Sequence, residues 1–219
     1  MAINYTVQAE VVNINVDTPR AEDVFMVDTN VWYWLTYSKA SQCARPPAYY
    51  QISKYPSYTN SALRAGARIF QSGLSLAELS HLIEKAEYEI FSKANPAIFP
   101  NPNQFDKNFR HDRARERVQA VSEIQAAWAL VNSLAEPLTI TIDSPMTTTA
   151  LNRLQTAKVD GYDLFILESM RIHGVRQIIT DDGDFVTVPG IQVFTANRNV
   201  LEAARDQGKL IRPHPERIF

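Results

Sequence analysis

Four short acidic stretches are spread along the chain. They are Val24-Phe25-Met26-Val27-Asp28-Thr29-Asn30, Ser75-Leu76-Ala77-Glu78-Leu79, Asp160-Gly161-Tyr162-Asp163-Leu164 and Ile178-Ile179-Thr180-Asp181-Asp182-Gly183-Asp184-Phe185. The first and last read as buried strands ending on Asp, the middle two as helix starts. Carboxylates gathered at one edge of a sheet repel each other strongly unless a cation sits between them. Such hard oxygen ligands suit Mg²⁺ or Mn²⁺. The use of such a site to which the pattern points is phosphodiester cleavage by a metal-activated water.

Each stretch, taken singly, has a plainer explanation. Asp28 ahead of Thr29-Asn30-Val31 fits a helix N-cap, and Glu78 near a helix start favours the helix dipole. Asp160 and Asp163 have the spacing of a cap and its partner three residues on. Asp181-Asp182-Gly183-Asp184 has the composition of a polar turn. It is their combination and order that favours a metal site.

The elements that must position these acids follow from the apolar pattern. With 219 residues, 45% of them hydrophobic, and a net charge of −2, the chain suits one large domain with a real core. Any nucleic-acid surface must then be local. The single Cys43 and four histidines show no zinc spacing. A signal peptide and an uninterrupted apolar run of the ~18 residues needed to span a membrane are both absent from the pattern, so a soluble cytoplasmic protein is expected.

Residues 1–23 alternate in polarity (Val7, Ala9, Val11, then Val12, Ile14, Val16), which predicts an N-terminal extension forming an edge strand or arm. Residues 24–219 are expected to form the main domain. Val24 to Val27 is continuously apolar, as a parallel strand buried on both faces would be. Pro46, Pro47 and Pro56 predict an inserted loop over 36–60 with no long helix. Helices are expected over 61–71 (with Leu63, Ala67, Ile69 and Phe70 on one face) and 75–93, and a second insertion near 94–110. A long amphipathic helix bearing Val118, Val121, Trp128, Val131 and Leu134 ends at Pro137. A strand over 138–142, helices over 147–157 and 161–173, strands over 177–180 and 191–195, and a last helix capped by Asn197 complete the pattern. Such alternation predicts a three-layer α/β/α sandwich around a parallel sheet, with ligands beyond the carboxyl ends of the strands.

In order and spacing the acidic stretches resemble the PIN-domain ribonucleases, a family that includes many toxins of toxin–antitoxin pairs. The resemblance rests on Val27-Asp28-Thr29-Asn30-Val31, Ser75-Leu76-Ala77-Glu78-Leu79, Asp163-Leu164-Phe165-Ile166-Leu167 and Thr180-Asp181-Asp182-Gly183-Asp184-Phe185. The last is similar to the family's Thr-x-Asp-x-Asp-Phe turn. The likeness covers residues 24 to 196 and implies Mg²⁺- or Mn²⁺-dependent RNA cleavage. It makes Asp28, Glu78, Asp163 and Asp182 the catalytic carboxylates. The metal would be held by Asp28, Asp163, Asp182 and Asp184, with Thr180 and Asn30 as polar supports. An antitoxin protein and a second copy of the chain are the implied partners. Asp160 and Asp181 match no position in the family pattern.

Between Asp28 and Glu78 there is no acidic residue, while Lys39, Arg45, Lys54, Arg64 and Arg68 lie there among many aromatics. Basic groups neutralise phosphates and aromatics stack on unpaired bases. The segment is thus a candidate RNA-facing surface, although the same residues also fit core packing or a protein interface. The cluster from Lys107 to Arg117 alternates with Asp106, Asp112 and Glu116 and reads as a solvated helix face with ion pairs. The competing function is a PIN-like module that binds RNA or protein without cutting; the presence of all four acids favours the enzyme.

Overall fold

A run such as Val24-Phe25-Met26-Val27 is stable only where both faces are covered, and the fold provides that cover. The computed structural model describes residues 4–211; residues 212–219, the end of the expected main domain, lie outside the described part. Six strands form one sheet: β1 (Glu10–Asn13), β2 (Val24–Val27), β3 (Arg68–Ser72), β4 (Glu136–Leu138), β5 (Gln177–Ile179) and β6 (Gln192–Thr195). Their order is β1-β6-β5-β2-β3-β4, and every pairing is parallel.

Because successive strand residues face opposite sides, each strand supplies both cores. Phe25, Val27, Ile69, Ile179 and Phe194 enter one core, with Val31 and Trp32 of α1 (Thr29–Thr36), Tyr55 and Tyr58 of α2 (Tyr49–Ala65), Leu79 and Ile83 of α3 (Gly73–Ala94) and Val131 of α5 (Ala114–Leu134). Met26, Phe70, Ile178 and Val193 enter the other, with Ala150 of α6 (Ser144–Arg153), Ile166 and Met170 of α7 (Gly161–Ile172) and Val200 and Ala204 of α8 (Arg198–Asp206). The short α4 (Lys107–Asp112) closes a third cluster in which Tyr88, Phe99 and Phe109 are buried. The result is a three-layer α/β/α sandwich. Among the described residues no helix is long and apolar enough to cross a membrane.

The structure departs from the sequence expectation in three places. The segment 36–60 is not a loop throughout: α2 runs through it with Pro56 inside the helix. A proline there costs about 3 kcal/mol, but full burial of a large apolar side chain returns about 1.5–3 kcal/mol. Tyr55 and Tyr58, on either side of Pro56, are both buried, with Tyr58 edge-on to Phe25 at 6.1 Å. The expected helix over 61–71 instead ends at Gly66, whose φ of 83° is the left-handed C-cap conformation. Ile69 and Phe70 then lie in β3 and face opposite layers. The strand expected at 138–142 is β4, earlier in the chain and containing Pro137; as a sheet edge it tolerates a residue with no N–H to donate.

The chain leaves β2 for β3 and β4 on one side, then crosses back to β5 and β6 on the other. The carboxyl ends of β2 and β5 therefore flank the switch point at which open α/β sheets bind ligands. One acid there is structural. Asp181 Oδ2 accepts from Tyr50 OH at 3.1 Å and Gln51 Nε2 at 2.6 Å, and its Oδ1 accepts from Tyr55 OH at 2.6 Å. These bonds tie the amino-terminal half of α2 to the end of β5. Replacing Asp181 by Ala strands these donors. Urea unfolding is expected to show a loss of about 1–3 kcal/mol, and an unchanged midpoint would refute the anchoring role.

Candidate metal centre

β2 ends at Val27, and the next residue, Asp28, caps α1 with its side chain: Oδ1 accepts from Thr29 N at 2.6 Å. The capping role and a role at the site are therefore not alternatives. Asp28 Oδ2 accepts from Asn30 Nδ2 at 2.6 Å and from the buried Thr180 hydroxyl at 2.5 Å. These bonds fix the carboxylate across the β2–β5 boundary. Ser72, at the end of β3, caps α3 by accepting from Leu74 N, which places Glu78 in the second turn of that helix. Asp160 sits at the N-cap of α7 without a side-chain cap bond, and Asp163 lies in the helix's first turn.

These three elements bring Asp28, Glu78 and Asp163 together, each offering a carboxylate oxygen within 4.8 Å of the others. Among the described residues no Lys or Arg forms an ion pair with any of them. Glu78 Oε2 and Asn30 Oδ1 are buried acceptors with no hydrogen-bond partner. The Thr29 hydroxyl, itself without a well-aligned partner, faces Glu78 and lowers its value against burial. Buried polar atoms are almost always partnered, and three close carboxylates with such sparse donors fit a hard divalent cation.

Asp182 and Asp184 fall outside the triad. Asp182 Oδ1 accepts from Asp184 N at 2.8 Å, and Asp182 N donates to Thr180 Oγ1 at 2.9 Å, which closes the turn after β5. Asp182 still lies near enough for its charge to act on all three acids of the triad. The acids expected from sequence thus divide: Asp28, Glu78 and Asp163 lie in one cluster that could hold an ion, and Asp182 and Asp184 lie outside it. Asp160, which opens the third acidic stretch but matches no position of the resemblance, is exposed and acts by charge on Glu78, Asp163, Asp182 and Asp184. Its only local signal is the three-residue spacing to Asp163.

Of the basic side chains expected to face a substrate, several are placed or paired elsewhere. Lys39 bridges Glu87 at 2.9 Å and Glu123 at 2.7 Å. Arg68 opens β3 at the amino edge of the sheet, opposite the acids, and pairs with Glu136. Arg64 lies in the last turn of α2, which leads to that same edge. Arg45 and Lys54 are exposed.

Burial, first, and then the neighbouring carboxylates push the acids upward: Asp28 to about 7, held back partly by its Thr180 bond, and Asp163 to about 9. Burial also raises Glu78 and Asp182. The metal-free folded chain therefore keeps protons that the unfolded chain, with an ordinary Asp value of 3.8, has already released. The contribution of these acids to stability therefore falls as pH rises from about 4 through 7 toward 9 and levels off above that. Since a cation displaces these protons, its affinity rises over the same window. In chelator the thermal midpoint is expected to decline between about pH 5 and about pH 9, and Asp163→Asn to flatten the decline. A wild-type midpoint constant over that window would contradict the raised acids.

No protein-family model matches the chain, and no curated protein does. Among solved structures, the crystal structure of VapBC2 from Rickettsia felis bound to a DNA fragment from its promoter aligns with 16% sequence identity. The alignment covers 78% of this chain and 96% of that one, with a TM-score of 0.41, a likeness too distant to bear on function.

Proposed function

We propose that the chain is a PIN-like, divalent-metal-dependent endoribonuclease that hydrolyses RNA phosphodiester bonds at Asp28, Glu78 and Asp163. The observation that carries this reading is the gathering of three carboxylates, each offering an oxygen within 4.8 Å of the others, with no ion pair to any Lys or Arg among the described residues. The sequential order of the acidic stretches supports the family resemblance, and the parallel sheet with its acids at the switch point is the architecture that resemblance implies. A bound Mg²⁺ or Mn²⁺ would supply Lewis-acid activation of water and offset charge on the phosphate oxygens.

The chain's own residues would do the rest. Asp28, Glu78 and Asp163 hold the ion. Thr180 and Asn30 fix the Asp28 carboxylate in one orientation, so that little reorganisation is needed when substrate arrives. Asp182 and Asp160 act on the triad by charge, which would raise its affinity for a cation.

Labelled RNA of mixed sequence, incubated with the full chain in Mn²⁺, in Mg²⁺ and in chelator, tests the proposal. Cleavage is expected only with metal and is expected to vanish in Asp163→Asn. That variant is cleaner than Asp28→Asn, because the Asp28 carboxylate also accepts three hydrogen bonds. Cleavage that persists in Asp163→Asn would sink the site assignment; RNA binding without any cleavage would favour the non-catalytic module. The narrower proposal is the toxin of a toxin–antitoxin pair, with a small antitoxin as partner. Induced expression of the chain is then expected to arrest growth, and expression of Asp163→Asn is not; equal growth of the two would refute it.

A further inference from the structure

Gly183 lies in the middle of the acidic turn, between Asp182 and Asp184, and its backbone gives no reason for a glycine. Its φ of −73° and ψ of −14° are right-handed helical values, open to any residue. What excludes a side chain is Tyr5. A Cβ built on Gly183 would stand 2.3 Å from both Cζ and the hydroxyl oxygen of Tyr5 and 2.5 Å from its Cε1. Such a Cβ cannot be accommodated unless the tyrosine moves.

Tyr5 is not loosely placed. Its carbonyl accepts from Gln207 Nε2 at 2.8 Å, and Gln207 Oε1 accepts from Val7 N at 2.9 Å, so one side chain clamps the extended arm at two points. Val7 is buried in the same core as Phe185 and Val186. Gln8 N and Ala9 N both donate to Val186 O, at 2.8 and 3.0 Å. The arm before β1 is thus fastened to the segment that follows Asp184, and it lays the phenol end of Tyr5 against the glycine flanked by two acids.

We propose that Tyr5 is a positioning residue of the metal centre, holding the Asp182–Asp184 turn in place by packing on Gly183. This inference rests on the metal reading above. Asp182, Asp163 and Asp160 repel one another. The turn's hydrogen bonds, from Asp182 N to Thr180 Oγ1, from Asp184 N to Asp182 Oδ1 and from Val186 N to Gly183 O, fix its backbone. The three atoms nearest the face where a Gly183 Cβ would stand are all of Tyr5. Tyr5 covers that face. The expected consequence is tighter cation binding, through the placement of Asp182 and with no contact between Tyr5 and the ion. Residues that orient a site in this way typically govern metal affinity by about 10–100-fold.

The test is a double-mutant cycle on the full chain, with Mn²⁺ affinity measured by calorimetry and folding checked in chelator. Tyr5→Ala and Gly183→Ala are each expected to weaken Mn²⁺ binding by about tenfold. The double variant is expected to bind no more weakly than Tyr5→Ala alone, because without the ring the new Cβ has room. Tyr5→Phe, which keeps the ring, is expected to retain the wild-type affinity. A role confined to folding would lower the thermal midpoint and leave Mn²⁺ affinity unchanged in the folded variants. Unchanged affinity in Tyr5→Ala, or single effects that simply multiply in the double variant, would overturn the inference while the metal centre stands. A wild-type chain that binds no Mn²⁺ would overturn both.

Discussion

The fold holds together three carboxylates that repel one another. Two unit charges about 4 Å apart repel by about 4 kcal/mol at an effective dielectric near 20, a sizeable part of the stability of a domain. The acids cannot relax apart because each is rooted in an element buried elsewhere. Asp28 follows a strand flanked by β5 and β3; Glu78 precedes the buried Leu79 on α3; Asp163 precedes Leu164 and Ile166 on α7. Moving any one means moving a strand or helix packed into a core. Retained protons or a bound cation must therefore lower the repulsion.

The same chain shows the opposite treatment of buried acids. Glu84 is pushed up by burial, yet Arg110 and Arg117 bring it below its ordinary value. Glu168 likewise ends low, because Arg171 and Arg153 clamp it. Glu87 accepts from Tyr37 OH at 2.8 Å and from Lys39, and Glu89 accepts from Ala44 N at 3.0 Å. Structural carboxylates here are thus supplied with donors from the protein. Asp28 has neutral donors, Glu78 is helped only by the Thr29 hydroxyl and the more distant charge of His81, and among the described residues neither pairs with a Lys or Arg. Helix α3 carries both kinds, Glu78 at one end and Glu84, Glu87 and Glu89 further along, so residue type and helix position do not separate them. Their surroundings do: Glu84 and Glu87 pair with basic side chains and Glu89 accepts from a backbone N–H, while Glu78 stands among other carboxylates.

That distinction also marks what the sequence could convey. The continuously apolar β2, the Asp after it, the long helix starting near Ser75 and the Asn197 cap were legible because each depends on local pattern: burial on both faces, capping chemistry, helical period. The misread elements depend on partners far away in the chain. The helix through Pro56 survives because Tyr55 and Tyr58 pack on residues of β2 and β6, and Ile69-Phe70 is a strand because its two residues face different cores. Asp181 and Asp182 are adjacent and chemically identical, yet one anchors α2 and the other lies beside the acidic triad and acts on it by charge; only the positions of Tyr50, Gln51 and Tyr55 tell them apart. Tyr5 could not have been placed at Gly183 from its neighbours at all.

The distribution of charge bears on how a polyanion would approach. The site is acidic at its centre and the chain carries a net charge of −2, so long-range attraction does not come from the protein as a whole. Arg64 and Arg68 are at the far edge of the sheet, and Lys39 is neutralised between two glutamates. The amino-terminal half of α2 is different: its contacts with Asp181 bring it beside the acidic turn, and Lys54 stands exposed on it. Lys158 lies on the other flank, close enough to Asp184 to lower that acid's value against the effect of burial. For an RNA substrate, neutralisation of the phosphates next to the scissile bond would fall to these flanks, while neutralisation at the bond itself would fall to the cation. Binding through the flanks should then weaken with salt, whereas the triad's hold on its ion, made in a buried setting, should respond far less.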